Sequence, residues 1–171
     1  MLDILLLVVL LICVITDLKS RKIYNKIIFP SLLLAFLLNG IQNGWDGLLH
    51  SVVGLLVGFS ILLIPYLMGG MGAGDVKLLA VVGAMKGSYF VFISALYMAL
   101  IGGLIGLAII LFRKGILSRI KFMILSLCGI RYGMKPKVGI EKSTLQKTYP
   151  YGVAIAGGVV MAILLNGVVP I

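Results

Sequence analysis

The uninterrupted apolar stretch SYFVFISALYMALIGGLIGLAIILF, residues 88–112, decides the fold class. It contains no Asp, Glu, Lys or Arg, and it exceeds the roughly 20 residues that a helix needs to cross the hydrocarbon core of a bilayer. Across the 171 residues, 61% are apolar and 12% are charged, and the mean hydropathy is +1.21. A soluble domain typically has roughly 45–50% apolar and about 25% charged residues. The sequence therefore predicts an integral membrane protein and excludes soluble enzyme folds.

Charged residues, Gly and Asn divide the apolar sequence into several segments. We therefore predict an all-α, polytopic transmembrane helical bundle of about six spans that forms one domain over residues 1–171. The predicted segments are residues 2–16, 27–40, 47–68, 76–86, 88–112 and 149–169. The first, second and fourth segments are shorter than a full span, so we expect their ends to lie below the membrane surface or to thin the bilayer locally.

The net charge of +10, from 15 Lys and Arg against 5 Asp and Glu, predicts the orientation. Cytoplasmic loops of membrane proteins carry an excess of Lys and Arg. With the N-terminus outside, every Lys and Arg except Lys86 lies in or beside a cytoplasmic loop. We interpret the fourth segment as a full crossing, because a re-entrant segment would move the basic residues 113–148 to the outside. Since the basic residues lie beside spans, we expect membrane lipids as partners and no nucleic acid.

Residues 113–148 are long enough to form a small basic cytoplasmic lobe. Ile116, Ile120, Ile124 and Leu127 recur at helical spacing, which predicts an amphipathic helix on the inner leaflet. A basic topology anchor attracted to anionic lipid is an equally good interpretation.

The start of the chain does not indicate a cleaved signal peptide, and the cysteines do not indicate a metal site. The chain opens with Asp3 rather than a basic region and has no small-residue cleavage site, so we expect the first segment to be retained. Cys13 and Cys128 are too few for a metal tetrad or a disulfide framework. We therefore expect no metal and no cofactor.

Two acidic residues, Asp17 and Asp75, are predicted to lie at one depth. A helix over residues 1–16 rises about 24 Å, less than the roughly 30 Å hydrocarbon core, so Asp17 is expected at or just below the cytoplasmic boundary. Because the fourth segment is also too short to span the bilayer, we expect Asp75 at its start to lie at a similar depth on the same side. Ionisable groups at such a depth are candidates for function. Taken singly, Asp75 could be a helix N-cap and Asp17 a helix-end partner of Lys19 or Arg21.

Two carboxyl groups in contact tend to share one proton. One can then take a proton from water while the other protonates a carbonyl or a leaving amine, which is the chemistry of aspartic proteases. Ion binding or proton relay by the same pair is the alternative, although transport sites usually lie near the midplane rather than near one face. A membrane scaffold with a basic lobe is a third possibility.

The glycine-rich stretch MGGMGAGD, residues 68–75, leads into the second aspartate. Gly69, Gly70, Gly72 and Gly74 disfavour a helix interior. Irregular backbone at this depth is tolerated where it is buried in protein or faces a wet cavity. Such a loop could pair with an extended peptide as an added strand, and it makes Gly72 and Gly74 candidate substrate-binding residues. A flexible hairpin between two segments is the alternative.

Three stretches of the chain together resemble the type IV prepilin peptidases, which are integral-membrane aspartic endopeptidases of bacteria. MGAGDVKLLA, residues 71–80, resembles their GxGD signature. DLKSRKIYN, residues 17–25, resembles the stretch around their first aspartate, with Tyr24 where Pro is usual. YPYGVAIA, residues 149–156, resembles the Pro-Tyr-Gly motif at the start of their last helix.

The resemblance implies that Asp17 and Asp75 are the catalytic pair and that prepilin-like precursors are cleaved at the cytoplasmic face of the cell membrane, commonly after a Gly that precedes their hydrophobic helix. It implies a role in type IV pilus assembly or a related system, with archaeal preflagellin peptidases as the nearest alternative. Larger family members add a four-cysteine segment and an N-methyltransferase activity. With two distant cysteines, this chain resembles the short form of the family.

Overall fold

The structure, a computed structural model, describes residues 2–112 and 151–166. Its elements are the helices α1 (Leu2–Ser20), α2 (Asn25–Leu67), α3 (Ala73–Lys86), α4 (Ser88–Phe112) and α5 (Tyr151–Asn166). The predicted all-α class is confirmed for these residues. The predicted basic lobe and its amphipathic helix lie outside them. Residues 2–102 and 151–166 belong to one compact unit that contains the contacts described below, and residues 103–112 continue α4. The single domain over residues 1–171 stays a prediction.

Helix α2 doubles back on itself at Gly44. This glycine has φ 57° and ψ −133°, which a residue with a side chain rarely adopts. Asn39 and Ser51 would lie about 18 Å apart along a straight helix, but Asn39 Nδ2 donates to Ser51 Oγ at 2.8 Å. Residues 25–43 and 45–67 therefore form a helical hairpin, in agreement with the two separate segments predicted for this region.

Helix α3 is buried along almost its whole length, although it has only 14 residues. Its close neighbour is the second half of α2, because Gly54 and Gly83 let the two backbones touch: a Cβ on either glycine would overlap the carbonyl of the other. Asn39 Nδ2 also donates to the Ala84 carbonyl at 3.0 Å, which ties the first half of α2 to the end of α3. A short, glycine-containing helix can therefore occupy the centre of the unit because other helices enclose it.

Helices α1 and α3 run in opposite directions. Lys86, at the end of α3, forms an ion pair of 2.5 Å with Asp3, at the start of α1. The end of α1 and the start of α3 consequently lie together at the other end of the unit. Those are the regions that contain Asp17 and Asp75.

Apolar side chains cover much of the outside of the compact unit. Examples of strongly exposed ones are Ile4, Leu11, Phe29, Leu37, Ile41 and Leu100. Soluble monomers rarely expose such large apolar areas, whereas lipid tails would cover them. Among the described residues, two helices, Asn25–Leu67 and Ser88–Ala108, are long and apolar enough to cross a membrane. These features support a helical membrane protein, while the number of spans stays a prediction.

Candidate active site

Asp17 lies inside the last turn of α1 rather than beyond its end. The predicted segment ended at residue 16, but the helix continues to Ser20 and closes where the Arg21 amide donates to the Asp17 carbonyl at 2.7 Å. Arg21 has the left-handed φ of 51° that ends many helices. A charged side chain does not by itself stop a helix, which is why the predicted boundary was four residues short.

The Asp17 carboxylate is buried and is held by a distant part of the chain. The residue is only 6% exposed, and its Oδ2 accepts a hydrogen bond from the Gly152 amide at 3.0 Å. Gly152 is in the first turn of α5, where backbone N–H groups have no partner within the helix. The carboxylate thus supplies a hydrogen-bond acceptor for the start of α5. Lys19 and Arg21, with which Asp17 could have paired as a helix-end residue, are exposed.

Asp75 lies at the third residue of α3, and Gly72 rather than Asp75 is the N-cap. The alternative interpretation, in which Asp75 is itself the N-cap residue, does not hold, because the helix begins at Ala73 and not at the predicted residue 76. From its position, the Asp75 side chain reaches back and its Oδ2 accepts from the Gly72 amide at 3.2 Å. This is the role that the acidic residue has in a capping box. Asp75 is 7% exposed.

The segment after Asp17 packs directly against the segment around Asp75. A Cβ on Gly74 would lie 2.8 Å from the Cβ of Ile23, so the two backbones approach closely at this point. Beside this contact, Lys77 Nζ donates to Asn25 Oδ1 at 2.9 Å. Asp75 directly follows Gly74 in this contact, and Asp17 lies in the last turn of the helix that leads to Ile23. The structure therefore brings together the two chain segments that contain the predicted site residues.

Both carboxylates lie at the N-terminal end of a helix: Asp75 at the start of its own helix α3 and Asp17 against the start of α5. The N-terminus of a helix carries a partial positive charge and favours anions. This arrangement offsets part of the cost of burying two acidic groups near each other, since each carboxylate accepts a hydrogen bond from a backbone amide.

The glycine-rich loop uses several of its amides within the chain. Gly69 donates to the Tyr66 carbonyl at 2.9 Å, and Gly70 donates to the Pro65 carbonyl at 3.0 Å. The Gly72 amide is occupied by Asp75, and Gly74 packs against Ile23. Fewer amides of this loop are therefore available to a peptide than its composition suggested, and substrate binding by Gly72 and Gly74 stays a prediction.

Tyr24 occupies the position where the resembling family usually has Pro. Its φ of −82° is close to the value that a proline ring imposes, about −65°. Tyr24 precedes α2, and its carbonyl accepts from the Ile27 amide at 3.0 Å. The departure from Pro therefore leaves the path of the backbone after α1 compatible with the motif.

Within residues 2–108 and 151–165, no group of three or more His, Cys, Asp or Glu side chains could hold a metal ion. His50 lies beside Gly87, just after the end of α3, and is therefore at the opposite end of that helix from Asp75.

The contacts of Gly152 and Lys77 are the main features that the sequence did not reveal. The Pro-Tyr-Gly motif marked Gly152, but no pattern indicated that its amide donates to a side chain 135 residues away. Nor did any pattern indicate that the ammonium group of Lys77 binds Asn25, 52 residues away.

Comparison with known proteins agrees with the resemblance. Residues 4–107 match the model of the type IV leader peptidase family, a range that includes Asp17 and Asp75. The chain is 33% identical over 105 residues to a "Prepilin leader peptidase/N-methyltransferase" of Bacillus subtilis (strain 168). That match covers 60% of this chain and 42% of the relative, so the chain spans less than half of the relative's length. No solved structure matches the chain. Because the family model covers more than half of the sequence, this chain belongs to the type IV leader peptidase family.

Proposed function

We propose that this protein is a membrane aspartic endopeptidase that cleaves the leader of prepilin-like precursors, with Asp17 and Asp75 as the catalytic pair. One observation carries the proposal: two buried acidic residues, each from a stretch that resembles a family motif, lie on segments that pack against each other at Ile23 and Gly74, and the third such stretch donates a hydrogen bond to Asp17. Family membership supports a peptidase, and the paired carboxyl groups supply the proposed mechanism.

In the proposed mechanism, the pair carries one proton between its two carboxyl groups. The ionised carboxylate takes a proton from water, and the water oxygen attacks the carbonyl carbon of the scissile peptide. The protonated carboxyl group supplies its proton to the carbonyl oxygen, which gives a gem-diol. The carboxyl group that took the proton from water then gives it to the nitrogen, the C–N bond breaks, and the other carboxylate takes a proton from one hydroxyl of the gem-diol. The products are a carboxylic acid and an amine, and the pair again holds one proton.

The proposed substrate has a leader followed by a hydrophobic helix. The apolar helix would enter between spans, and the two carboxyl groups would be the local counter-charge for a basic leader, since a surface of net charge +10 does not attract it. The methyltransferase activity in the relative's name is not part of the proposal, because the match spans only 42% of that protein.

The proposed location is the cytoplasmic membrane, with six crossings, the N-terminus outside and the site facing the cytoplasm. Lys19, Arg21, Lys22 and Lys26 lie at the end of the unit that contains the site, which agrees with the excess of basic residues on the cytoplasmic side of membrane proteins. Asp3 and Lys86 pair at the opposite end.

The proposal is tested by Asp17→Ala and Asp75→Ala, each co-expressed with a prepilin-type precursor. We expect each variant to lose cleavage to background, because a single remaining carboxyl group cannot be both base and acid, while membrane insertion is retained. The products are measured by mass spectrometry, which also locates the cut. The matched control is Asp46→Ala, which removes an exposed acid in the turn of the α2 hairpin. Near-normal cleavage by either site variant would reject the assignment.

A cation or proton transporter that uses the same pair is distinguished by a second measurement. Purified protein in proteoliposomes would then carry an ion flux that Asp17→Ala abolishes, and the same preparation would leave the precursor intact. We expect the opposite result, with peptide cleavage and no flux, because both carboxyl groups lie at helix ends rather than in the middle of the unit.

A further inference from the structure

The Gly152 backbone lies so close to Asp17 that a side chain at position 152 would displace the Asp17 carboxylate. A Cβ at this position would lie 2.8 Å from Asp17 Oδ2 and 3.2 Å from Asp17 Cγ. The amide of the same residue donates to that Oδ2 at 3.0 Å. The Gly152 amide therefore binds the Asp17 carboxylate, and the absence of a side chain at position 152 leaves the space that this carboxylate occupies.

We infer that Gly152 is a positioning residue, whose amide orients the Asp17 carboxylate and whose lack of a side chain lets that carboxylate reach the first turn of α5. The inference rests on the proposed function, since orientation matters only if Asp17 takes part in hydrolysis. Catalytic groups must be held closely in their productive geometry, and a misplacement of about 1 Å can cost roughly 100-fold in rate.

Gly72 offers an internal comparison at the other aspartate. Its amide donates to Asp75 Oδ2 at 3.2 Å, and a Cβ on Gly72 would lie 3.3 Å from that oxygen. The two glycines thus make the same kind of contact, but the contact at Gly72 leaves more room. A methyl group at position 152 must displace the Asp17 carboxylate, whereas one at position 72 needs a shift of a few tenths of an ångström.

The contact itself can be measured without an activity assay. In the full chain, Tyr precedes Gly only at Tyr132–Gly133 and Tyr151–Gly152. Labelling Tyr with ¹³C at the carbonyl and Gly with ¹⁵N therefore selects two amide signals in detergent micelles, and Gly152→Ala identifies one of them by removing it. We expect the Gly152 amide proton to move upfield in Asp17→Ala, because the hydrogen bond is lost, while the Gly133 signal stays. An unchanged Gly152 signal would overturn the inference.

The effect on catalysis is measured with Gly152→Ala on a prepilin-type precursor. We expect kcat per folded enzyme to fall roughly 100-fold with KM within about twofold, because the change acts on the reacting group and not on uniform substrate binding. We expect the kcat of Gly72→Ala to fall less than that of Gly152→Ala. The matched control is Gly102→Ala on α4, where a Cβ would make an ordinary 3.7 Å contact with Ala154. Alanine is the better helix former, so a weakened α5 would not explain the loss.

The outcomes separate this inference from the proposed function. If Gly152→Ala cleaves with the kcat of the unsubstituted protein while Asp17→Ala is inactive, the positioning role is rejected and the catalytic pair stands. If Asp17→Ala itself cleaves normally, the proposed function fails whatever the signal of Gly152 shows. Should Gly152→Ala fail to fold, Gly133→Ala identifies the two amide signals instead, and the shift of the Gly152 amide in Asp17→Ala decides the inference alone.

Discussion

Lys77 and Asn25 show what a single pair of side chains contributes beside the site. Their hydrogen bond of 2.9 Å joins the start of α2 to the first turns of α3 and is exposed to solvent. We expect a double-mutant cycle of Lys77→Met and Asn25→Ala to give a coupling of about 1 kcal/mol in the free energy of unfolding, the usual net value of a hydrogen bond. Unfolding is measured by chemical denaturation in detergent. The control is the same cycle with Lys26→Met in place of Lys77→Met, in which we expect the two changes in the free energy of unfolding to add. If the changes for Lys77→Met and Asn25→Ala also add, the contact between these two side chains is contradicted.

At the scale of the elements, the contact between α2 and α3 decides where Asp75 lies. The backbones touch at Gly54 and Gly83, and a Cβ on Gly54 would overlap the Gly83 carbonyl. We expect Gly54→Ala to lower the free energy of unfolding by roughly 1–3 kcal/mol, since overpacking a tight contact forces the helices apart. Thermal unfolding in detergent measures the loss, with Gly102→Ala as the control for a glycine that has room. Equal stability of the two variants would disprove the close crossing.

For the whole molecule, the excess of basic residues predicts which end of the bundle faces the cytoplasm. We expect a membrane-impermeant maleimide to label Asp46→Cys in intact cells and Ser20→Cys only after lysis, in a background that carries Cys128→Ser. Asp46 lies near the turn of the α2 hairpin and Ser20 near the site, and both are exposed. Cys13 is buried and provides no reactive background. Labelling of Ser20→Cys in intact cells would reverse the proposed orientation.

Much of the candidate site could be predicted from residue types alone, for physical reasons. Asp17 and Asp75 were recognised because a carboxylate beside an apolar segment is costly and therefore requires an explanation. The α2 hairpin was predicted as two segments because Asn39, Gly40, Asn43 and Gly44 interrupt the apolar sequence. The ends of α1 and α3 were predicted less well, because a helix end depends on a backbone φ at Arg21 and on which residue is the N-cap, and neither is specified by hydropathy.

The sequence by itself determined that the described part of this protein is helical and suited to lipid, and it predicted which two acids are the candidates for catalysis. These properties follow from composition and order along the chain, because burial cost and charge are local. Only the tertiary structure decided that the Gly152 amide binds Asp17, that Ile23 lies against Gly74, and that α3 is enclosed by the other helices. These are contacts between distant parts of the chain, and they depend on how closely particular backbones can approach, which no local pattern specifies.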